Sequence, residues 1–254
     1  MSLSVIILAK NEEKNIQDCI ESALFADEVL VIDDFSTDAT VEIATKLGAK
    51  VYQHAMDGNW GAQQTYAIDV ATTDWIFFLD ADERIPEVLQ QEIKAAVTIN
   101  EKFAYQVPRL NHAMGEPLYH GGWYPDYGFH LMPRENFRVE GFVHPQFVHP
   151  YQARKLKNHL IHYTYSSWEQ YFNKLNNYTR LAAEKNYNKG KHALFIRDIV
   201  LRPCFAFIKM YLLQSGWRDG RIGFILASFH FCYTMAKYVK LYALECDKGA
   251  KVCE

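Results

Sequence analysis

The stretch DWIFFLDADERIP, residues 74–86, changes character at its midpoint. Trp75 to Leu79 form an uninterrupted apolar run of the length of a buried strand, and Pro86 suits the first turn of a following helix, residues 86–97. Between them stand Asp80, Asp82 and Glu83, three carboxylates that repel one another and that a strand does not need in order to fold. Packed acids at a strand end are most simply relieved by a cation, and their hard oxygen ligands favour Mg²⁺ or Mn²⁺.

Upstream, the same alternation repeats. LSVIILA (3–9) and EVLVID (28–33) are continuous apolar runs, and AKVYQH (49–54) is a shorter one. Helical periodicity separates them: Ile16, Ile20, Ala23 and Leu24 share one face, with Asn11 able to cap that helix. STDATVEIATKLG closes on Gly48, and GAQQTYAIDVAT (61–72) makes a third helix. This rhythm predicts an α/β fold with a mainly parallel sheet covered by helices. In such sheets ligands bind at the carboxyl ends of the strands. Three strands here end in polar or acidic residues: Asn11 with Glu12 and Glu13, Asp33 with Asp34, and Asp80 with Asp82. The chain carries no GxxxxGK[ST] loop and no GxGxxG turn, so a phosphate ligand would be held by acids and metal rather than by a glycine cradle.

After residue 100 the rhythm breaks. FAYQVPRLN reads as a strand, residues 111–165 as hairpins and functional loops, and the chain from 166 onward as helices broken at Gly190 and at SGWRDGRIG (215–223). The charge divides with it: residues 1–150 hold 10 Lys/Arg against 23 Asp/Glu, and residues 151–254 hold 17 against 7. Two surfaces with different partners follow from that asymmetry. Five cysteines without metal-ligand spacing read as reduced thiols of a cytosolic protein. Val5 to Ala9 is too short for a signal peptide, and without ~18 uninterrupted apolar residues a transmembrane span is disfavoured.

SVIILAKNEEKNI, EVLVIDDFSTDAT and DWIFFLDADERI together resemble the opening of the family 2 glycosyltransferases. That resemblance implies a GT-A fold with a mixed, mainly parallel central sheet and a helical C-terminal extension. It implies a catalytic domain over 1–165, its nucleotide-sugar half ending near 100 and its acceptor half running from 101, with the extension over 166–254. It also assigns residues. Ala9, Asn11, Glu13, Asp33 and Asp34 surround base and ribose, and the DxD motif falls on Asp80-Ala81-Asp82, with Asp82 the metal ligand. Gln64 stands on the third helix, where relatives often carry a basic residue toward the donor.

The later stretches GWYPD, HYTY and K…YT resemble bacterial enzymes that place glucose on an inner-core heptose of lipopolysaccharide. They imply UDP-glucose as donor, a lipid A–core oligosaccharide as acceptor, and work at the cytoplasmic face of the inner membrane. Where many of those relatives read His-Glu, this chain reads His144-Pro145, so either the base is another residue or the alignment is displaced there. Asp126, in an aromatic loop suited to a sugar ring, is the first candidate, against a plain turn aspartate; Glu140 is the second, against a solvated hairpin. His144 and His162 either complete the metal site or are hydrogen-bonded core residues. Lys174, like Arg134, either neutralises the leaving diphosphate or is solvated.

The basic, aromatic tail 202–245 reads as an interfacial helix pair on an anionic membrane surface, against a helical subdomain packed on the catalytic domain or a helix-mediated homodimer. No nucleic-acid module accompanies it. The resemblance equally admits a family 2 transferase acting on another glycan or a polyprenyl phosphate; a nucleotidyltransferase shares the acidic sheet edge, but LAKNEEKN lacks the glycines its first loop would carry.

Overall fold

The computed structural model describes residues 1–99, 101–140 and 146–247. Strands β1 (Leu3–Ala9), β2 (Glu28–Asp33), β3 (Lys50–Gln53) and β4 (Trp75–Asp80) alternate with helices α1 (Ile16–Ala23), α2 (Thr40–Lys46) and α3 (Trp60–Val70). They pair in parallel in the order β3-β2-β1-β4. Then follow β5 (Glu83–Arg84), α4 (Glu87–Thr98), β6 (Phe103–Ala113), β7 (Glu116–Pro117) and β8 (Asp126–Pro133). Strands β9 (Arg138–Glu140), β10 (Gln146–Val148), β11 (Gln152–Lys155) and β12 (Leu160–Tyr165) complete the set. Strand β8 enters antiparallel to both β4 and β6, and the order continues β8-β6-β12-β5, while β9 and β10 form a separate ribbon. The expected mixed α/β sheet of the GT-A type, followed by helices, is the observed one.

The continuous apolar runs are explained by two cores, one on each face. Val5, Ile7, Val31, Phe77 and Leu79 belong to one cluster with α1 and α4. Ile6, Leu30, Ile32, Ile76 and Phe78 belong to the other with α3. Successive side chains point to opposite faces, so only a sheet covered on both sides uses every residue of such a run. Helix α1 buries Ile16, Cys19, Ile20 and Ala23, one stripe at helical spacing. Leu24, expected on that stripe, is the C-cap residue and lies exposed. The helix starts after Asn15, whose side chain makes no capping bond, and not after Asn11, whose left-handed backbone (φ 55°) belongs to the preceding loop.

The chain divides into two compact units, residues 1–110 with 126–162, and residues 111–125 with the chain from Tyr163 onward. Residues 111–125, expected with the acceptor half of the catalytic domain, thus belong to the second unit. The cause is apolar packing: Ala113 and Leu118 share a cluster with Tyr171, Met210, Leu226 and Ala227.

The second unit holds α5 (Trp168–Asn188), whose N-cap Ser167 Oγ accepts the Gln170 N–H at 3.1 Å. A helical segment over 195–213 follows, in which α6 (Arg202–Ile208) lies between π-helical turns Phe195–Leu201 and Lys209–Leu213. Pro203 lacks an N–H and its ring crowds the carbonyl four residues back, which a widened turn accommodates. A 3₁₀ turn, Gly216–Asp219, leads into α7 (Gly220–Asp247). Gly216–Asp247 is long and apolar enough to cross a membrane by length and composition. Among the described residues Cys19, Cys204 and Cys232 are free thiols.

The turn into α7 depends on two glycines. A Cβ at Gly223 would lie 2.0 Å from the Gly216 carbonyl oxygen, and one at Gly216 would lie 2.7 Å from the Met210 carbonyl oxygen. Both obstacles are backbone, which cannot rotate away. Gly223→Ala is therefore expected to destabilise this unit by on the order of 1–3 kcal/mol, seen as a lowered midpoint in thermal unfolding followed by circular dichroism; an unchanged midpoint would reject the close approach.

Candidate functional site

The ends of β1 and β2 open onto a cavity of about 250 Å³ lined by Leu8, Ala9, Lys10, Glu12, Asp34, Met56, Trp60 and Gln63. The two aspartates that follow Ile32 do different work. Asp33 is fully buried and accepts from the Ser36 N–H at 2.9 Å, the Ser36 hydroxyl and Gln53 Nε2 at 3.2 Å, which shapes the loop after β2. Asp34 faces the cavity and accepts from Lys10 Nζ at 2.7 Å and the Met56 N–H at 3.0 Å. Those two donors hold its carboxyl below the usual aspartate range. A side wall bearing Trp60 and Met56 with one ionised carboxylate suits a flat, hydrogen-bonding ring.

Asn11 and Glu13 act one step back. The Asn11 N–H donates to Ser36 Oγ at 2.8 Å, and its Oδ1 accepts the Thr37 N–H at 2.8 Å. Glu13 donates its N–H to Asp38 and accepts the Ala39 N–H at 3.3 Å. Both tie the loop after β1 to the loop after β2, and neither lines the cavity. On α3 it is Gln63 that lines it, fixed by His54 through Nδ1 at 2.6 Å and the backbone oxygen at 3.0 Å, whereas Gln64 lies outside the lining.

At the end of β4 the chain turns sharply through Asp80, Ala81 and Asp82. Glu83 is completely buried beneath that turn, and its Oε2 accepts the Asp80 N–H at 3.0 Å. Burial, then the Asp80 charge, push the Glu83 carboxyl well above the ordinary glutamate value. Arg84 clamps the corner from outside, donating to the carbonyls of Ala81 (2.9 Å), Glu83 (2.8 Å) and Asn15 (2.9 Å). Asp80 is also raised, by its low-polarity surroundings first and Asp82 second; its side chain keeps solvent access, which tempers the effect.

Asp82 Oδ2 lies 3.5 Å from His162 Nε2 on β12, where His162 registers against Glu83. Glu12 connects this corner to the cavity. It lines the cavity, and its carboxyl is raised chiefly by burial, with the Asp82 charge contributing. Among the described residues no group of three His, Cys, Asp or Glu is placed to hold a metal. His144 lies outside the described residues.

Asp126, at the start of β8, pairs with Arg109 on β6 at 2.7 Å, and the same guanidinium reaches to 3.9 Å from Glu83. Beneath them His130 donates Nδ1–H to the Phe78 carbonyl at 2.8 Å. Burial drives that imidazole down to about 4, so it is neutral at physiological pH. Glu140 is exposed and pairs with Arg138 at 2.7 Å. Lys174 belongs to the second unit, where it donates to the Thr164 carbonyl at 3.3 Å.

The structure therefore gathers Ala9 and Asp34 at the cavity, and Asp80, Ala81, Asp82 and His162 at the corner. Lys10, Met56 and Trp60 were missed, as were Arg84, Arg109 and His130, and Gln63 takes the place expected of its neighbour Gln64. Arg109 had a signal, since a cation on a strand that borders an acidic edge requires a partner. Gln63 had none, because adjacent helical positions differ only in azimuth.

The glycosyl transferase family 2 model matches residues 4–149. A lipopolysaccharide core biosynthesis glycosyltransferase, LpsC of Rhizobium meliloti (strain 1021), is 24% identical over 95% of this chain and 92% of its own length. An uncharacterized glycosyltransferase of Rickettsia typhi is 40% identical over 42% of this chain, a match spanning 38% of that relative. Among solved structures, S. aureus TarS 1–349 in complex with UDP-GlcNAc aligns over 100% of this chain and 93% of its own at 15% identity, with a TM-score of 0.49. Glucosyl-3-phosphoglycerate synthase from Mycobacterium tuberculosis aligns over 53% and 57% at 21% identity and a TM-score of 0.41. These structural likenesses are coarse.

The buried acid under the turn sets a pH signature. A carboxyl raised in the folded state is stabilising relative to its ionised form, so its cost to folding appears as pH climbs above the ordinary value of 4.5 and grows until the folded value is passed. Glu83→Gln keeps an acceptor for the Asp80 N–H and removes that cost. The variant is expected to be more stable than the parent at neutral pH, with the difference closing as pH falls toward 4.5. Melting curves across that range check it; a variant less stable at neutral pH would show that the ionised form is the native one.

Proposed function

Because the chain belongs to glycosyl transferase family 2, we propose that it is an inverting, divalent-metal-dependent hexosyltransferase that moves glucose from UDP-glucose to an inner-core heptose of lipopolysaccharide. The observation that carries this reading is the pairing of Asp82 with His162 at 3.5 Å beside the cavity that Glu12 shares. Asp82 and His162 would hold a divalent ion, a mixed oxygen and nitrogen pair that would suit Mn²⁺ better than the oxygen-preferring Mg²⁺. When bound, such an ion supplies Lewis-acid neutralisation of the departing nucleoside diphosphate.

The remaining roles fall to the chain's own groups. Trp60 and Met56 cover the flat base, while Asp34, kept ionised by Lys10 and the Met56 N–H, accepts from base or ribose. Asp33, Asn11 and Glu13 fix the two loops on which that surface stands. Asp126 is the base that takes the acceptor hydroxyl's proton, opposite the leaving group. One guanidinium, that of Arg109, separates Asp126 from the acidic corner, and it holds the carboxylate in place. Glu140, turned to Arg138 on the separate ribbon, is the lesser candidate. The similarity to a lipopolysaccharide core enzyme over 95% of this chain supports the acceptor class; a peripheral site of action on the cytoplasmic face of the inner membrane is part of the same proposal.

The test is to follow release of nucleoside diphosphate from a panel of nucleotide-sugars, with Mg²⁺ or Mn²⁺ and truncated lipid A–core. UDP-glucose is expected to turn over, EDTA to abolish it, and Asp82→Ala to lower kcat/KM by about a hundredfold or more. A protein silent with every donor, or one indifferent to the loss of Asp82, sinks this reading. Asp126→Asn is expected to lower kcat by about 10²–10⁴-fold with the donor KM little changed; a variant with normal kcat would pass the role to another acid.

A further inference from the structure

The helical segment 195–213 of the second unit is inside out. Its buried stripe is made mostly of small residues, Pro203 and Ala206 with Met210, set against the cluster that includes Leu226 and Ala227. Phe207 and Tyr211 also pack on that cluster, but the other large apolar side chains of the segment point the other way. Leu201, Phe205, Ile208 and Leu212 follow helical spacing at 58%, 59%, 43% and 55% exposure, and Phe195 and Leu213 extend the face at 66% and 68%. A helix in water presents the opposite pattern, and a contiguous exposed apolar face of this kind marks a contact surface.

Charge identifies what covers it. Between residues 194 and 221 the chain carries Arg197, Arg202, Lys209, Arg218 and Arg221 against Asp198 and Asp219. All five cations are exposed. Both acids are committed inside the unit. Asp198 is buried, accepts the Leu194 N–H at 2.9 Å and pairs with Arg197 (2.8 Å) and Arg202 (2.6 Å). Asp219 pairs with His120 at 2.6 Å. A two-fold contact between copies would set this net-positive face against itself. A bilayer bearing anionic headgroups offers both the apolar boundary and the counter-charge.

We infer that the segment 195–217, with Trp217 at its end, is the element that lies in the interface of an anionic membrane, and that α7 is its support and not a span. Helix α7 is tied to α5 by Lys240, which donates to Asn176 Oδ1 and Thr179 Oγ1, and its buried Glu245 accepts from His192. Crossing the bilayer would carry those polar contacts, and the Arg180–Glu184 pair on α5, into hydrocarbon. The inference deepens the proposed peripheral location, and it is read without donor or acceptor. A protein that binds vesicles yet transfers no sugar therefore rejects the enzymatic reading alone.

The full chain is floated with vesicles of phosphatidylethanolamine and phosphatidylglycerol, and with vesicles of phosphatidylcholine alone. Binding to the anionic vesicles that falls at high salt is expected. Phe205→Ser with Leu213→Ser is expected to weaken it about a hundredfold while leaving the far-ultraviolet spectrum and melting unchanged. Should that variant not fold, the parent surface is read by a polarity-sensitive dye on the exposed thiol of Cys204, with Cys232→Ser, and in a second protein on Cys232 of α7, with Cys204→Ser. A blue shift on anionic vesicles at Cys204 and none at Cys232 is the expected result. A shift at Cys232 alone, equal flotation of parent and double variant, or a lipid-free dimer in light scattering that the double variant dissolves would each overturn the proposal.

Discussion

Three carboxylates within four residues at one strand end must be kept apart and compensated, and much of the first unit is arranged around that constraint. Glu83 is withdrawn beneath the turn and held by the Asp80 N–H, which removes one acid from the exposed set. Arg84 binds the backbone of the corner to the start of α1, and Arg109 stands between Glu83 and Asp126. Asp80 and Asp82 are left facing outward with His162 beside the latter. The corner is thus a tightly braced frame that carries Asp80 and Asp82, the latter beside His162.

The opposite side of the site follows different physics. Asp33 and Asp34 are neighbours in sequence, yet one is consumed by its own loop and the other is presented. The difference lies in donors: Ser36 and Gln53 reach Asp33, whereas Lys10 and the Met56 N–H meet Asp34 at the cavity's edge. A carboxylate that faces a ligand must be oriented without being saturated, and two donors on one side achieve that.

The parallel half of the sheet was legible from sequence because its signals are local. Continuous apolar runs, helical stripes and a turn-forming Gly48 lie within single elements, and DADE announced its own electrostatic difficulty. The assignments that shifted depend on distance. Leu24 differs from Cys19 only in where α1 ends, and Gln63 from Gln64 only in rotation about α3. Arg109 acquires its meaning from Asp126 and Glu83, residues brought to it by pairing and not by spacing. Residues 111–125 read as functional loops, and their place with the helices is set by what Ala113 and Leu118 pack against. The inverted polarity of 195–213 was hidden for the same reason: composition shows that apolar residues are abundant, and only packing shows which of them remain outside.

Consecutive residues of β1 line opposite cores, Val5 and Ile7 on one side and Ile6 on the other. A single inserted or deleted residue within that strand would exchange the two linings and, at the same stroke, shift Ala9 and Lys10 off the cavity. Changes of length are thereby excluded from the strands that border the cavity and confined to connections.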